Sequence, residues 1–160
     1  MPNWTYNTLT ITGHKQSIQR LAKLLKSEEG CFTFNNIIPC PEALMGDDWQ
    51  SDKNIARKNV EQYGYEGWYD WRVAKWGTKW EASEPRWHNK EGGGIIYTFD
   101  TAWSPPTELV DEISRRFPSL RIEHEVHEEA GMYPSYIRTY DKGGISEVGV
   151  QNTFWDDGSE

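Results

Sequence analysis

Two short stretches decide the fold, WGTKW at residues 76–80 and DTAWSPP at residues 100–106. Together they hold three of the chain's nine tryptophans beside a lysine, an aspartate and a serine. Each stretch lies where one predicted element ends and the next begins, so a tryptophan can pack inward while a small or charged neighbour forms a turn or an ion pair. We therefore expect both stretches to belong to the core.

The composition indicates one acidic domain with an aromatic interior. A chain of 160 residues is long enough to bury a real core. Its mean hydropathy is only −0.82, but 14% of the residues are aromatic, so we expect a core that is aromatic rather than aliphatic. The formal net charge of −8 repels a phosphate backbone, which argues against direct nucleic-acid binding and suits a basic partner protein.

The cysteines and the missing motifs limit the chemistry. Cys31 and Cys40 are interpreted as free thiols, and no signal-like apolar stretch occurs near the start, so we expect a cytoplasmic protein without membrane insertion. There is no CxxC pair, no cluster of Cys and His, and no phosphate-binding glycine loop. The run Gly92-Gly93-Gly94 precedes a predicted strand and indicates a turn rather than a nucleotide cradle. We predict no cofactor, no metal and no catalytic residue.

Hydrophobic periodicity predicts an α+β fold. Ser104 is expected to cap a helix that begins at the two following prolines, and Pro85 places its strand near a sheet edge. Residues 32–41 are interpreted as a short extended piece. The predicted strands cover residues 6–12, 78–88, 95–102 and 120–126. The predicted helices follow apolar stripes at 18–25, 52–63, 68–76 and 109–117. A second hairpin is predicted over residues 132–150.

This order matches the split βαβ, ferredoxin-like plan with an antiparallel sheet. We predict one domain over residues 1–150, with a helical, Trp-rich insertion at about 35–77, an appended hairpin at about 131–150, and a polar tail at 151–160 in which Phe154 and Trp155 dock back. Two helices on one face leave the other face open unless the insertion covers it. We expect Asn7, Thr8 and Thr10, or the outer side of the hairpin formed by the strands at 78–88 and 95–102, to line that open face.

Several spaced motifs resemble the YubB-like family of small proteins from conjugative plasmids, prophages and phages. They are NTLTITG at residues 7–13, the stretch 35–41, YDWR at 69–72 and the two tryptophan stretches, and the likeness spans roughly residues 3–130. The resemblance implies a ferredoxin-like fold and a mobile-element origin, but it transfers no catalytic residues. The fold name implies no iron-sulfur cluster, for which two cysteines would not suffice.

The candidate site residues surround the tryptophan motifs. Acid-base work could be performed by the ionisable residues of this group, which are Asp70, Arg72, Lys79, Glu81 and Asp100. We favour partly buried ion pairs instead, Asp100 with Lys79 and Asp70 with Arg72. The indoles could stack on a base or sugar, but we favour core packing. The predicted binding residues are Asp70, Trp71, Arg72, Trp76, Lys79, Trp80, Asp100 and Trp103.

A group of histidines and glutamates at residues 123–129 resembles a metal site at first sight. His124 and His127 lie three positions apart on a predicted strand, so their side chains point to opposite faces and cannot converge on one ion. We expect a solvated acidic strand with His124 half-buried. No Ser, His and Asp spacing indicates a triad.

Three functional hypotheses remain open. The first is a non-enzymatic phage or plasmid protein that docks an acidic, tryptophan-bearing surface onto a host protein, such as a basic nucleic-acid-binding defence complex, and inhibits it. The second is an enzyme or nucleotide-binding protein that uses the Trp-lined corner with Asp70, Arg72, Lys79 and Asp100. The third and weakest, a nucleic-acid-binding accessory module, requires a positive stripe across the open sheet face. The sequence does not indicate an oligomeric state.

Overall fold

Six antiparallel strands form one sheet in the computed structural model, which describes residues 1–150. The sheet order is β2-β3-β1-β4-β5-β6. The strands are β1 (Trp4–Thr12), β2 (Ser83–Asn89), β3 (Ile95–Ala102), β4 (Arg121–Glu128), β5 (Tyr136–Asp141) and β6 (Gly144–Gly149). The helices are α1 (Lys15–Leu25), α2 (Asp48–Ser51), α3 (Lys53–Tyr63), α4 (Trp68–Trp76) and α5 (Thr107–Arg116), and two 3-10 helices cover Phe34–Asn36 and Glu42–Leu44.

The first four strands have the ferredoxin-like arrangement. Helix α1 follows β1 and helix α5 follows β3, and each connection returns the chain to the sheet beyond a neighbouring strand. Strands β5 and β6 form a hairpin that extends the sheet beside β4. The predicted α+β, ferredoxin-like fold is confirmed, including the edge position of β2. The predicted tail with Phe154 and Trp155 lies outside the described residues.

Strand β1 organises the sheet because it pairs with both β3 and β4. Thr5, Asn7, Leu9 and Ile11 alternate with more exposed residues and are buried on the face that the helices cover. Thr8 and Thr10 lie on the opposite face, as predicted, but Asn7 does not. The placement of Asn7 on the open face was therefore wrong, because its position shares the parity of Leu9 and Ile11.

Aliphatic residues outnumber aromatic ones in the core, where seven of the 23 buried hydrophobic residues are aromatic. Among the twelve largest fully buried side chains, six are aromatic and six are leucine or isoleucine. The ring of Phe32 stacks on Phe99 with centroids 4.7 Å apart, and Phe34 packs edge-on against Trp76 at 5.6 Å. The expectation of a core aromatic rather than aliphatic was wrong, since the buried stripes of α1 and α5 contribute the leucines and isoleucines that complete it.

Three local predictions fail, two of them because side chains bind backbone groups that lie far away in the sequence. The stretch after Phe32 forms a 3-10 helix rather than an extended piece, since the Glu81 carboxylate accepts hydrogen bonds from the Phe34 and Asn35 backbone N–H groups at 2.7 and 2.9 Å. Strand β2 begins at Ser83 rather than at residue 78. Ser104 does not cap α5, because its hydroxyl donates to the Gly77 carbonyl oxygen at 2.5 Å.

Candidate functional site

The two tryptophan stretches meet in space and hold each other through backbone contacts. The Thr78 hydroxyl donates to the Ala102 carbonyl oxygen at 2.9 Å, and the Ser104 hydroxyl donates to the Gly77 carbonyl oxygen. A Cβ at Gly77 would lie 2.8 Å from the Pro105 carbonyl oxygen, so only glycine allows this approach. The corner is therefore a close-packed junction between the end of α4 and the end of β3.

Two of the predicted tryptophans are interior residues. Trp76 is fully buried and its indole N–H donates to the Ile38 carbonyl oxygen at 2.8 Å. Trp71 is 6% exposed and packs edge-on against Trp76 with centroids 5.9 Å apart. These side chains have the geometry of core packing and offer no free ring face to a ligand.

The predicted ion pairs at the corner are wrong. The Arg72 guanidinium lies between the Trp68 and Trp76 rings, 5.1 and 4.9 Å from their centroids, and it makes no ion pair with the exposed Asp70. The Lys79 ammonium lies 4.2 Å from the centroid of Trp80 and does not pair with Asp100. Both cations rest on aromatic faces because the rings crowd this corner.

Glu81 serves the fold rather than the corner. Both carboxylate oxygens accept backbone hydrogen bonds from the Phe34–Asn36 helix, as described above. Burial raises the pKa of Glu81, and the same backbone hydrogen bonds and Arg72 oppose that rise. Its half-buried carboxylate is thus used as a helix cap.

The other two predicted tryptophans are surface residues. Trp80 is 39% exposed and its ring centroid lies 6.4 Å from that of Trp4. Trp103 is 48% exposed, and its backbone N–H donates to the Asn3 carbonyl oxygen at 2.8 Å. Trp103 has a φ of 67°, a left-handed conformation that is costly for a bulky residue. An exposed indole is therefore held at a conformational cost.

Carboxylates lie beside Trp4 and Tyr6, and the Trp4 ring neighbours that of Trp80. The Tyr6 hydroxyl donates to Glu129 Oε2 at 3.2 Å, and the Trp4 backbone N–H donates to Glu129 Oε1 at 3.0 Å. Burial raises the pKa of Asp100, and the negative charges of Glu84 and Glu129 raise it further. We call this region the aromatic-acidic surface, and it consists of Trp4, Tyr6, Trp80, Glu84, Asp100, Trp103 and Glu129.

Sequence reasoning identified only part of this surface. It named Trp80, Asp100 and Trp103, but not Trp4, Tyr6, Glu84 or Glu129. The alternation of β1 carries the signal that was missed, because Trp4 and Tyr6 share the parity of Thr8 and Thr10. The two glutamates become neighbours of Asp100 only through strand pairing and the irregular register of β2 near Ser83.

No helix covers this face of the sheet within residues 1–150. The outward positions of β4, Glu123, Glu125 and His127, are half-buried, whereas the inward residues between them are buried. The carboxylates outnumber the arginines Arg86 and Arg121 there, and Arg121 pairs with Glu123 and Asp141. The face therefore has no continuous positive stripe.

The two histidines of β4 lie on opposite faces, as predicted. His127 contacts Glu125 Oε1 at 3.0 Å and Ser135 Oγ at 2.7 Å on the outward side. His124 is fully buried, not half-buried as expected, because α5 and the β5 side chains close over it. Among the described residues, no group of three His, Cys, Asp or Glu side chains could hold a metal ion.

None of the described helices combines the length and apolar character needed to cross a membrane. Cys31 is half-buried and Cys40 is buried, and both are free thiols. Burial raises the pKa of each of these thiols.

Comparisons with known proteins identify the fold. A family model described as the ferredoxin-like domain in Api92-like protein matches residues 75–156. The structure is similar to the crystal structure of the protein Api92 from Yersinia pseudotuberculosis, with a TM-score of 0.60 and 13% identity over 94% of this chain and 99% of that chain. At that identity the likeness shows the fold alone. No curated protein matches the chain in sequence.

Proposed function

The chain belongs to the Api92-like proteins through their ferredoxin-like domain, and from the surface of that domain we propose that it is a non-enzymatic protein-binding module. The aromatic-acidic surface docks onto a basic surface of a host protein. The observation that carries this proposal is the set of exposed aromatic rings among carboxylates on a sheet face that no described helix covers.

Exposed aromatic side chains are the usual anchors of protein interfaces. Trp80 and Trp103 are 39% and 48% exposed and Tyr6 is 44% exposed, so each retains surface for a partner to cover. Strained backbone conformations persist where the surrounding structure over-determines them, and they cluster at functional positions. The left-handed backbone of Trp103 therefore supports a role for this indole beyond packing.

The charges favour a basic partner. Glu84 and Glu129 lie close enough to Asp100 for their negative charges to raise its pKa, and a cationic partner relieves that repulsion. Arginine side chains can stack on the indole faces while they pair with the carboxylates. The net charge of −8 steers the same partner toward the protein over a longer distance.

The resemblance to the YubB-like family supports a mobile-element origin and hence a protein of the bacterial host as the partner. A basic nucleic-acid-binding complex of host defence fits the charge of this surface, and its inhibition in the host cytoplasm is the activity that we propose. An enzyme or nucleotide site at the Trp-lined corner is less favoured, because Asp70, Arg72, Lys79 and Asp100 do not face one cleft. The carboxylates on the open face weigh against a nucleic-acid-binding accessory module.

The test is capture of host proteins on the immobilised chain, followed by affinity measurements with the purified partner. The charge-reversal variant Asp100→Lys with Glu84→Lys is expected to lose the partner. Its matched control, Glu61→Lys with Glu66→Lys, makes the same charge change at exposed positions elsewhere and should retain it. Trp80→Ala should weaken binding by about tenfold or more, as expected for an aromatic anchor.

Salt provides the second readout. Binding of the wild-type chain should weaken steadily as the ionic strength rises, because the attraction between exposed charges is screened. A partner that binds the Asp100 and Glu84 variant as tightly as the wild type, or whose binding is indifferent to salt, contradicts the proposal.

A further inference from the structure

A groove of about 910 Å³ lies between α1 and the β2–β3 hairpin, on the helix-covered side of the sheet. Ile18 and Ala22 of α1 line one wall, Trp87 lines the hairpin side, and Ile95 and Tyr97 of β3 lie beneath. This volume is within the range of small-molecule sites. The groove is separated by the sheet from the aromatic-acidic surface.

The charged residues that line the groove are all lysines. They are Lys15, Lys23, Lys26 and Lys90, and no carboxylate joins them. The ion pairs of residues 1–150 are made by arginines and one histidine, so these ammonium groups have no carboxylate within 4.0 Å. Lys90 Nζ contacts the Glu91 carbonyl oxygen at 3.2 Å. In a chain of net charge −8, the groove is thus a local cationic site that attracts an anion.

One end of the groove suits a phosphate group. Helix α1 begins there with His14 as its N-cap, and no side chain caps its first turn, which also holds no acidic residue. The first backbone N–H groups of an α-helix have no partner within the helix and bind anions well. Lys90 lies at the same end, because the tip of the β2–β3 hairpin packs against the end of β1. This approach is so close that a Cβ at Gly94 would lie 2.5 Å from the Ile11 carbonyl oxygen. Lys15 is the first residue of the helix.

The middle of the groove suits a planar ring. Trp87 is 55% exposed and pairs in register with Tyr97 of β3, which places its indole on the side of the helices. Its ring lines the groove beside the apolar side chains of α1. An exposed indole face stacks on nucleic-acid bases of any identity.

We propose that this groove binds a free nucleoside phosphate, with the phosphates at the start of α1 between Lys15 and Lys90 and the base against Trp87. Gly92-Gly93-Gly94 is a hairpin turn, as the sequence predicted, in which the Gly93 N–H donates to the Lys90 carbonyl oxygen at 3.1 Å. The same turn forms part of the groove wall, so its role as a turn and its place beside a ligand are compatible.

Calorimetric titration of the full chain with ADP, UDP, adenosine and pyrophosphate tests this inference. We expect ADP or UDP to bind with a dissociation constant below about 1 mM, and adenosine and pyrophosphate each to bind about tenfold more weakly or worse. The variant Lys15→Glu with Lys90→Glu should lose roughly a hundredfold in affinity, since two charge-assisted contacts become repulsive. Lys53→Glu with Lys58→Glu makes the same charge change on α3 and should bind like the wild type.

Trp87→Ala separates the ring contact from the phosphate contact. It should bring the affinity for ADP down to that for pyrophosphate, whereas Trp103→Ala, on the other side of the molecule, should leave it unchanged. Circular dichroism and thermal melting verify that each variant is folded. The inference is overturned if neither nucleotide binds, if the two double lysine variants bind alike, or if an oligothymidylate binds more tightly than the free nucleotides.

Discussion

His124 donates its Nε2–H to the side-chain oxygen of Asn7 across 2.8 Å in the buried interior between β1 and β4. The direction of this bond follows from the amide, because Asn7 Nδ2 already donates to the Thr5 carbonyl oxygen at 3.1 Å and to Thr101 Oγ1 at 2.9 Å. Nδ1 of His124 is buried without a partner. The imidazole is therefore neutral in the folded protein, with its proton on Nε2.

Stability should fall with acid because of this histidine. Burial, together with the nearby positive charge of Arg138, lowers the pKa of His124 from 6.5 to about 3. The contribution is fully present above the unfolded pKa and is lost as the pH falls from 6.5 toward 3, at about 1.4 kcal/mol per pH unit. Urea unfolding at several pH values measures this slope.

His124→Gln is the matched control for the acid effect, because its amide can donate to Asn7 without titrating. The variant should show a shallower pH dependence than the wild type between pH 6.5 and 3. Equal slopes for the two proteins would show that other groups cause the acid sensitivity.

Asn7→Ala should destabilise the fold by about 1–3 kcal/mol, because the His124 Nε2–H loses its acceptor where water cannot replace it. Thr8→Ala, the next residue on the open face, should change the free energy of unfolding by less than about 0.5 kcal/mol. Chemical unfolding of both variants decides the point. Similar losses at the two positions would be inconsistent with a buried hydrogen bond at Asn7.

The buried and the exposed tryptophans of the corner should differ sharply. Trp76→Ala removes a fully buried ring and its bond to Ile38, so we expect a loss of about 3–5 kcal/mol in the free energy of unfolding. Trp80→Ala removes a ring that is 39% exposed, and we expect a loss of about 1 kcal/mol. The comparison fails if Trp80→Ala is the more damaging change by thermal or urea unfolding.

The backbone of Trp103 predicts an unusual order of substitutions. The backbone φ at this position is 67°. The free energy of unfolding of Trp103→Gly should therefore exceed that of Trp103→Ala by about 1 kcal/mol, because glycine adopts the left-handed region without strain. Trp87 lies in strand β2, where the usual order applies and Trp87→Gly should be the less stable variant by about 0.5–1 kcal/mol. If Trp103→Ala proves more stable than Trp103→Gly, the strained backbone conformation at position 103 is excluded.

Local patterns were sufficient for most of the fold. Alternation along residues 6–12 and 95–102, helical spacing at 18–25, and the glycine after Tyr63 predicted elements that the structure contains. These signals survive because each depends on neighbours within one turn or one strand. Ser104 shows their limit, since its sequence context is that of a helix cap and its hydroxyl instead binds Gly77, which lies 27 positions away.

The candidate site could be predicted only in part for the same reason. The sequence determined that tryptophans and charges concentrate at residues 76–80 and 100–106, and that the exterior is acidic. Only the tertiary structure decided which rings are buried, that Arg72 and Lys79 rest on aromatic faces, that Glu84 and Glu129 approach Asp100, and that four lysines line one groove. Burial and charge proximity are properties of the packed chain, because they arise from strand register and helix placement between residues that are distant in sequence.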